Sequence, residues 1–197
     1  MKQQRPLHGL VLAGGRSTRM GQDKATLVHP DGRTLVRRCC DLLHEAGCDS
    51  IVISLRHDQE IPVGFEEGEI VRDPEGASQG PIAGIISGIK RNPDDDWIVL
   101  ACDLPRLDLA TLAHLIDARE DGERFLAYRS ESDGLPEPLC ALYASGTLEV
   151  LQKAQAEDFR CPRKVLILND CRLLEPVTPR ALENANTPED WKTAVAP

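Results

Sequence analysis

The residues best suited to chemistry in this chain are the cations and bare amides of Leu10-Val-Leu-Ala-Gly-Gly-Arg-Ser-Thr-Arg-Met-Gly-Gln-Asp-Lys-Ala25. Gly14, Gly15 and Gly21 permit close approaches that a side chain blocks, so backbone N–H groups there can face phosphate oxygens. Arg16, Arg19 and Lys24 set three positive charges against the one negative charge of Asp23, in a chain whose net charge is −9. A cationic turn in an acidic protein favours a small anionic ligand. The spacing excludes two common nucleotide loops. Gly21 is followed by Gln22-Asp23-Lys24, where a P-loop needs Gly-Lys-Ser/Thr, and the glycines do not fall as Gly-x-Gly-x-x-Gly.

Two carboxylates follow apolar runs. Ile98-Val-Leu-Ala-Cys-Asp-Leu-Pro105 delivers Asp103 where a strand should end, the place at which open α/β sheets bind ligands and where one carboxylate plus phosphate oxygens can hold Mg²⁺. Asp73 opens Asp73-Pro-Glu-Gly-Ala-Ser-Gln-Gly80; it is placed to accept from a base N–H or a ribose hydroxyl, and equally to open a turn before Pro74. Gly80 and Gly84 stand near a helix start, where amides and the dipole favour phosphate, whereas Gly88 reads as helix-on-sheet packing. Ser54 lies in a strand as a donor or acceptor, or as an outward-facing serine. Asn184 and Asn186 precede Thr187-Pro188, a helix-start signal. The histidines form no His-x-x-x-His pair and no serine sits in a nucleophile elbow, so neither zinc hydrolysis nor acyl transfer has a constellation in the sequence.

Leu12-Ala-Gly-Gly-Arg-Ser-Thr-Arg-Met-Gly-Gln-Asp-Lys-Ala25 resembles the signature of nucleotidyltransferases of the molybdenum cofactor guanylyltransferase type. Leu12, Ala13, Gly14, Gly15, Arg19, Gly21 and Lys24 fall on its positions, and the resemblance implies that this loop wraps a nucleoside triphosphate. It extends to Asp103-Leu-Pro105, the family's metal site; to Asp73, implied to contact the nucleotide; to Gly80-Pro-Ile-Ala-Gly84; and to Pro138-Leu-Cys-Ala-Leu-Tyr143, which closes the second-substrate side. In Asn184-Ala-Asn186-Thr-Pro188 the two asparagines are implied to approach the metal and the second substrate. Ser54 departs from the pattern, since relatives often carry Asn there. Leu12-Ala-Gly-Gly15 and Gly80-Pro81 are similar to the guanylyl rather than the cytidylyl branch.

The activity implied is guanylyl transfer from GTP to the phosphate of molybdopterin, or Mo-molybdopterin, with release of pyrophosphate. Asp103 would hold Mg²⁺, and Lys24 and Arg19 would steady the transferring and leaving groups. The alternatives are cytidylyl transfer to the same cofactor, nucleotidyl transfer to another phosphorylated small molecule, and a catalytically silent nucleotide-binding scaffold. Proteins of cofactor synthesis or recipient molybdoenzymes are the implied partners.

These residues need a frame. Leu35, Val36, Cys39, Leu42, Leu43 and Ala46 recur at helical spacing between a Thr34 cap and Gly47, and Ser50–Leu55, Glu69–Arg72 and Trp97–Cys102 read as strands. Ile82, Ile85, Ile86 and Ile89 form an apolar stripe behind Pro81, and Asp108 caps a helix carrying Leu109, Leu112, Leu115 and Ile116. Strand candidates follow at Phe125–Arg129 and Pro138–Tyr143, and a helix at Thr147–Ala156; 163–168 is ambiguous, 172–176 is a possible strand, and Thr187-Pro188-Glu189-Asp190 announces a last helix. The alternation predicts a three-layer α/β/α sandwich with a Rossmann-like, mostly parallel sheet, spanning 1–197 as a single domain.

Composition narrows the class. The 197 residues hold no apolar run of the roughly 18 to 20 residues that a membrane helix needs, and the polar start is unlike a signal peptide, so a cytoplasmic protein without a membrane partner is expected. Seven cysteines without a Cys-x-x-Cys pair point to buried thiols rather than a zinc cage or disulfide framework. The acidic balance and 4% aromatic content argue against nucleic acid as a partner.

Overall fold

The computed structural model describes residues 5–15, 20–21, 23–73 and 80–196. Among these, seven strands form one sheet: β1 (Leu7–Leu12), β2 (Ser50–Leu55), β3 (Ile70–Arg72), β4 (Asp96–Ala101), β5 (Phe125–Arg129), β6 (Pro136–Tyr143) and β7 (Arg172–Leu174). The helices are α1 (Leu35–Glu45), α2 (Pro81–Ile89), α3 (Leu109–Asp117), α4 (Thr147–Ala156), α5 (Pro162–Leu168) and α6 (Pro188–Ala194). The ambiguous 163–168 segment is thus helical, and Pro162 occupies its first turn.

The strand order is β3-β2-β1-β4-β6-β5-β7. Every pairing is parallel except those of β6, which runs against both β4 and β5. Ser130 N donates to Leu135 O at 2.8 Å across the turn that joins β5 and β6 as a hairpin, so those two oppose one another, whereas the pairing of β6 against β4 is made between distant segments. Successive strands build outward from β1 on one side through β2 and β3, and on the other side from β4, so the order reverses between β1 and β4. A crevice at the carboxyl ends of strands at such a reversal is where open sheets bind ligands.

Strand periodicity divides the core into two layers. Val11, Ile98 and Leu100 pack with α1 and α3 residues such as Leu43 and Leu112, while Leu10, Trp97 and Val99 pack with Ile85, Ile89 and Leu151 of α2 and α4. Neighbouring residues therefore enter opposite layers, as a pleated strand covered on both faces demands. Helix α2 lies unusually close to the sheet. An added Cβ at Gly88 would come within 2.6 Å of a Leu10 methyl, so packing accounts for this glycine. The capping signals hold: Thr34 accepts from Arg37 N and Asp108 from Thr111 N.

No helix among the described residues is long and apolar enough to cross a membrane. All seven cysteines are free; Cys39, Cys40, Cys48, Cys102 and Cys140 are buried, Cys171 is half-buried, and Cys161 is exposed, unlike the buried state expected of it. Burial pushes the Cys39 and Cys48 thiols up to about 12, so neither is a thiolate at neutral pH.

Candidate active site

Four adjacent strands, β3, β2, β1 and β4, end at one edge, and each exit carries a polar residue: Asp73 after β3, Arg56 after β2, the Gly14–Gly15 turn and Lys24 after β1, and Asp103 after β4. Leu12 pairs with Ala101 on one side and Ser54 on the other, so the three central exits are level.

The loop after β1 is fastened to the exit of β2. Ala13 N donates to Ser54 O at 2.9 Å, and Arg56 Nη1 donates to the carbonyls of Gly14 and Gly15 at 2.9 and 3.1 Å. The buried Gln59 donates from Nε2 to Ala13 O at 3.0 Å and to Asp23 Oδ2 at 2.8 Å. Asp23 in turn accepts from Ala25 N and caps the short 3-10 turn Lys24–Thr26. Arg72 Nη1 holds Gln59 from behind through its carbonyl at 2.7 Å. With Arg56 and Gln59 drawing its carbonyls toward β2, the turn directs Lys24 toward the β1–β4 gap. Arg56 and Gln59 carried no signal in the sequence, because their role arises only from the parallel pairing of β1 with β2.

Lys24 meets Asp103 across 79 residues of sequence. Its Nζ donates to Asp103 Oδ2 and to Asn186 Oδ1, both at 2.8 Å. Asn184 Nδ2 donates to the other oxygen, Asp103 Oδ1, at 2.7 Å, and Ala185 N donates to the Asp103 carbonyl at 3.0 Å. The Lys24 and Asp103 side chains are 12% and 19% exposed, so the pair is largely out of bulk water but reachable. Asn186 is positioned by the cap of α6: Asp190 Oδ2 accepts from the N–H groups of Asn186 and Thr187 at 3.0 and 2.9 Å, and Thr187 Oγ1 accepts from Asp190 N. The Asn186 N–H holds the Asp190 carboxyl below the usual carboxylate range.

Asp73 sits at the far side of this edge. Its N–H donates to Leu55 O at 3.0 Å, while its buried Oδ1 has no hydrogen-bond partner among the described residues. Burial pushes its carboxyl pKa up, against the pull of the nearby Arg56 charge. A buried acceptor left open is costly, and a donor from a ligand would satisfy it. Gly80 begins α2 with φ +152°, and a Cβ there would meet Arg160 O at 2.9 Å. Gly84 is buried against the sheet; a Cβ there would stand 2.5 Å from Ser54 Oγ. Ser54 itself is buried, which removes the outward-facing alternative. Arg16 and Arg19 lie outside the described residues.

Two clefts continue from this edge. One of about 590 Å³ is lined by Arg129, Glu137, Arg180, Asn184, Asn186 and Asp190 among others. The second, of about 430 Å³, includes Gly80, Leu104, Leu139, Arg160, Arg163 and Asn184. They share Glu137, Leu182 and Asn184, so both open beside the partner of Asp103.

A family model described as MobA-like NTP transferase domain matches residues 9–173. The chain belongs to that family. MobA-like nucleotidyltransferases generally use a divalent metal. Among curated relatives, the molybdenum cofactor biosynthesis bifunctional protein of Synechocystis sp. is 35% identical over 95% of this chain, which spans only 53% of that protein's length. A probable molybdenum cofactor guanylyltransferase of Nostoc sp. is 33% identical over 93% of this chain and 88% of its own. The solved structure of molybdopterin-guanine dinucleotide biosynthesis protein A from Archaeoglobus fulgidus superposes with a TM-score of 0.73 over 95% of this chain and 96% of that one; at 23% identity it attests the MobA-like fold.

One arrangement within this MobA-like fold was not foreseen. His8 Nδ1 lies 2.8 Å from Ser50 Oγ and Nε2 lies 2.9 Å from Asp95 Oδ2, a Ser-His-Asp trio that the scattered sequence positions concealed. It sits where β1 and β2 begin, at the opposite edge of the sheet, and lines neither cleft. His8 packs at a tilt against Trp97, whose indole N–H donates to Asn92 O, so the trio ties the starts of β1, β2 and β4 together.

Proposed function

We propose that this chain transfers the guanylyl group of GTP to the terminal phosphate of molybdopterin, or its molybdenum-loaded form, and releases pyrophosphate. The observation that carries the reading is the junction of Lys24, Asp103, Asn184 and Asn186 at the strand-order reversal, in a chain whose relatives bear molybdenum cofactor guanylyltransferase names. Asp73 stands three inter-strand spacings from β4, about 14 Å. An extended nucleoside triphosphate has comparable length, so the nucleoside lies toward β3, where the open Asp73 oxygen accepts from guanine or ribose, and the phosphates lie at the β1–β4 gap.

In the transfer, a phosphate oxygen of the acceptor attacks the α-phosphorus of GTP while the bond to the β-phosphate oxygen breaks. The nucleophile is already anionic, so no side chain has to remove a proton. The protein's contribution is alignment and neutralisation of charge. Lys24 moves from Asp103 to the triphosphate, and the amides of Gly14 and Gly15 face its oxygens, with Leu12 and the buried Ala13 packing beneath and Arg19 as a further cation. Gly80 and Gly84 set the close approach of α2, and Ser54 supports that helix in place of the usual Asn. The clefts beside Asn184 receive the acceptor.

The residues fit a hard divalent ion such as Mg²⁺. Asp103 offers a carboxylate, Asn186 offers an amide oxygen, and a cation, Lys24 Nζ, already bridges them at 2.8 Å from each. A hard divalent ion held by one carboxylate commonly takes its remaining ligands from phosphate oxygens and water. When bound it would screen the triphosphate charge and fix its conformation. The test is mass spectrometry of products after incubation with Mg²⁺, molybdopterin and each of GTP, CTP, ATP and UTP. The guanine dinucleotide and pyrophosphate are expected from GTP; a preference for CTP, or binding without product, overturns the assignment.

A further inference from the structure

The three segments that meet at Lys24, Asp103 and Asn186 are all held by the last helix. Trp191 of α6 packs on Met20, Leu27 and Leu35, a small apolar cluster separate from the two main layers, whose first two members flank the Lys24 turn. His29 meets the same indole edge-on, with ring centroids 6.5 Å apart. On its other side, α6 accepts from Arg106 Nη2 at Thr193 O, at 2.7 Å, and Arg106 lies three residues beyond Asp103. Asp190 holds the Asn186 N–H. The helix is seven residues long, has no buried residues, and lies beyond residue 173, where the family match ends. It has no hydrophobic core of its own to justify its place.

We infer that α6 is a clip, and that Trp191 is a positioning residue that sets Lys24 and Asn186 in register with Asp103 without touching substrate. An element anchored, among the described residues, by one indole, one arginine bond and a cap opens at low cost. Displacing the turn that carries Lys24 by an ångström is enough to lose the alignment on which transfer depends. The catalytic consequence rests on the guanylyl-transfer reading; the positional one does not.

The experiment separates them. Substrate-free protein is treated briefly with an amine-reactive acetyl ester, and labelling is read by peptide mass spectrometry at Lys24, with exposed Lys90 as internal control. Trp191→Ala is expected to raise Lys24 labelling several-fold with Lys90 unchanged, and Trp191→Phe, which keeps an aromatic plug, to restore protection. In pyrophosphate release, Trp191→Ala lowers kcat about tenfold with the KM for GTP held within about threefold, and Trp191→Phe recovers it. Unchanged Lys24 labelling, an unchanged kcat, or failure of the Phe variant to recover either readout overturns the clip. Should Trp191→Ala not fold, Arg106→Gln cuts the second anchor and carries the same readouts. If the wild-type protein turns over no nucleotide, the guanylyl-transfer reading falls while the labelling still decides the clip.

Discussion

Asp103→Asn separates the charge at the site from its shape. The carboxylate accepts from Lys24 Nζ at 2.8 Å and from Asn184 Nδ2 at 2.7 Å. The substitution keeps the volume and one oxygen, to which Lys24 continues to donate, and a half-turn of the Asn184 amide lets its oxygen accept from the new amide nitrogen. At 2.8 Å and an effective dielectric of about 20, the bare attraction of Lys24 for Asp103 is about 6 kcal/mol. Desolvation of two largely buried ions offsets most of it, leaving a net loss of about 1–3 kcal/mol, which a folded domain survives. Turnover should fall much further, by about 10²–10³, because the lost charge is the one proposed to hold the divalent ion and to orient Lys24. Urea unfolding and pyrophosphate release at saturating GTP measure the two effects on one preparation. Turnover within threefold of wild type, with Mg²⁺ present, would refute the role given to the Asp103 charge. Asp103→Ala removes both acceptors and should abolish turnover while the fold persists.

Other outcomes follow from the same geometry. Gln59→Ala removes the donors to Ala13 O and Asp23 Oδ2; at about 1 kcal/mol each this loosens the loop and raises the KM for nucleotide about tenfold or more, read by initial rates. Burial raises the Asp73 carboxyl above its ordinary 3.8, so between that value and its folded value the native state holds a proton that the unfolded chain has lost. Stability therefore declines as pH rises through that window, and the full penalty remains at neutral pH. Asp73→Asn should flatten that slope and raise the urea midpoint at pH 7 while weakening nucleotide binding by calorimetry; a lower midpoint would contradict the burial argument. Gly88→Ala drives a Cβ to 2.6 and 2.7 Å from the Leu10 methyls and should cost about 1–3 kcal/mol, read as a lower melting temperature.

The sequence by itself determined the alternation of strands and helices, because burial on two faces, caps and prolines are local signals: Thr34, Asp108, Pro81 and Thr187 each mark a helix start where one occurs. It also singled out Lys24 and Asp103, which the fold brings within 2.8 Å of one another, since a cationic glycine turn and a carboxylate at a strand exit are legible in short windows. Only the tertiary structure decided that β6 lies antiparallel between β4 and β5, because strand direction depends on which neighbours pair, not on periodicity. It alone brought Gln59 and Arg56 under the loop, seated Gly84 on a buried Ser54, assembled His8, Ser50 and Asp95 away from both clefts, and placed α6 across the site. These are contacts between residues tens to more than a hundred positions apart, and their partners are fixed by strand order and helix docking, which no local pattern encodes.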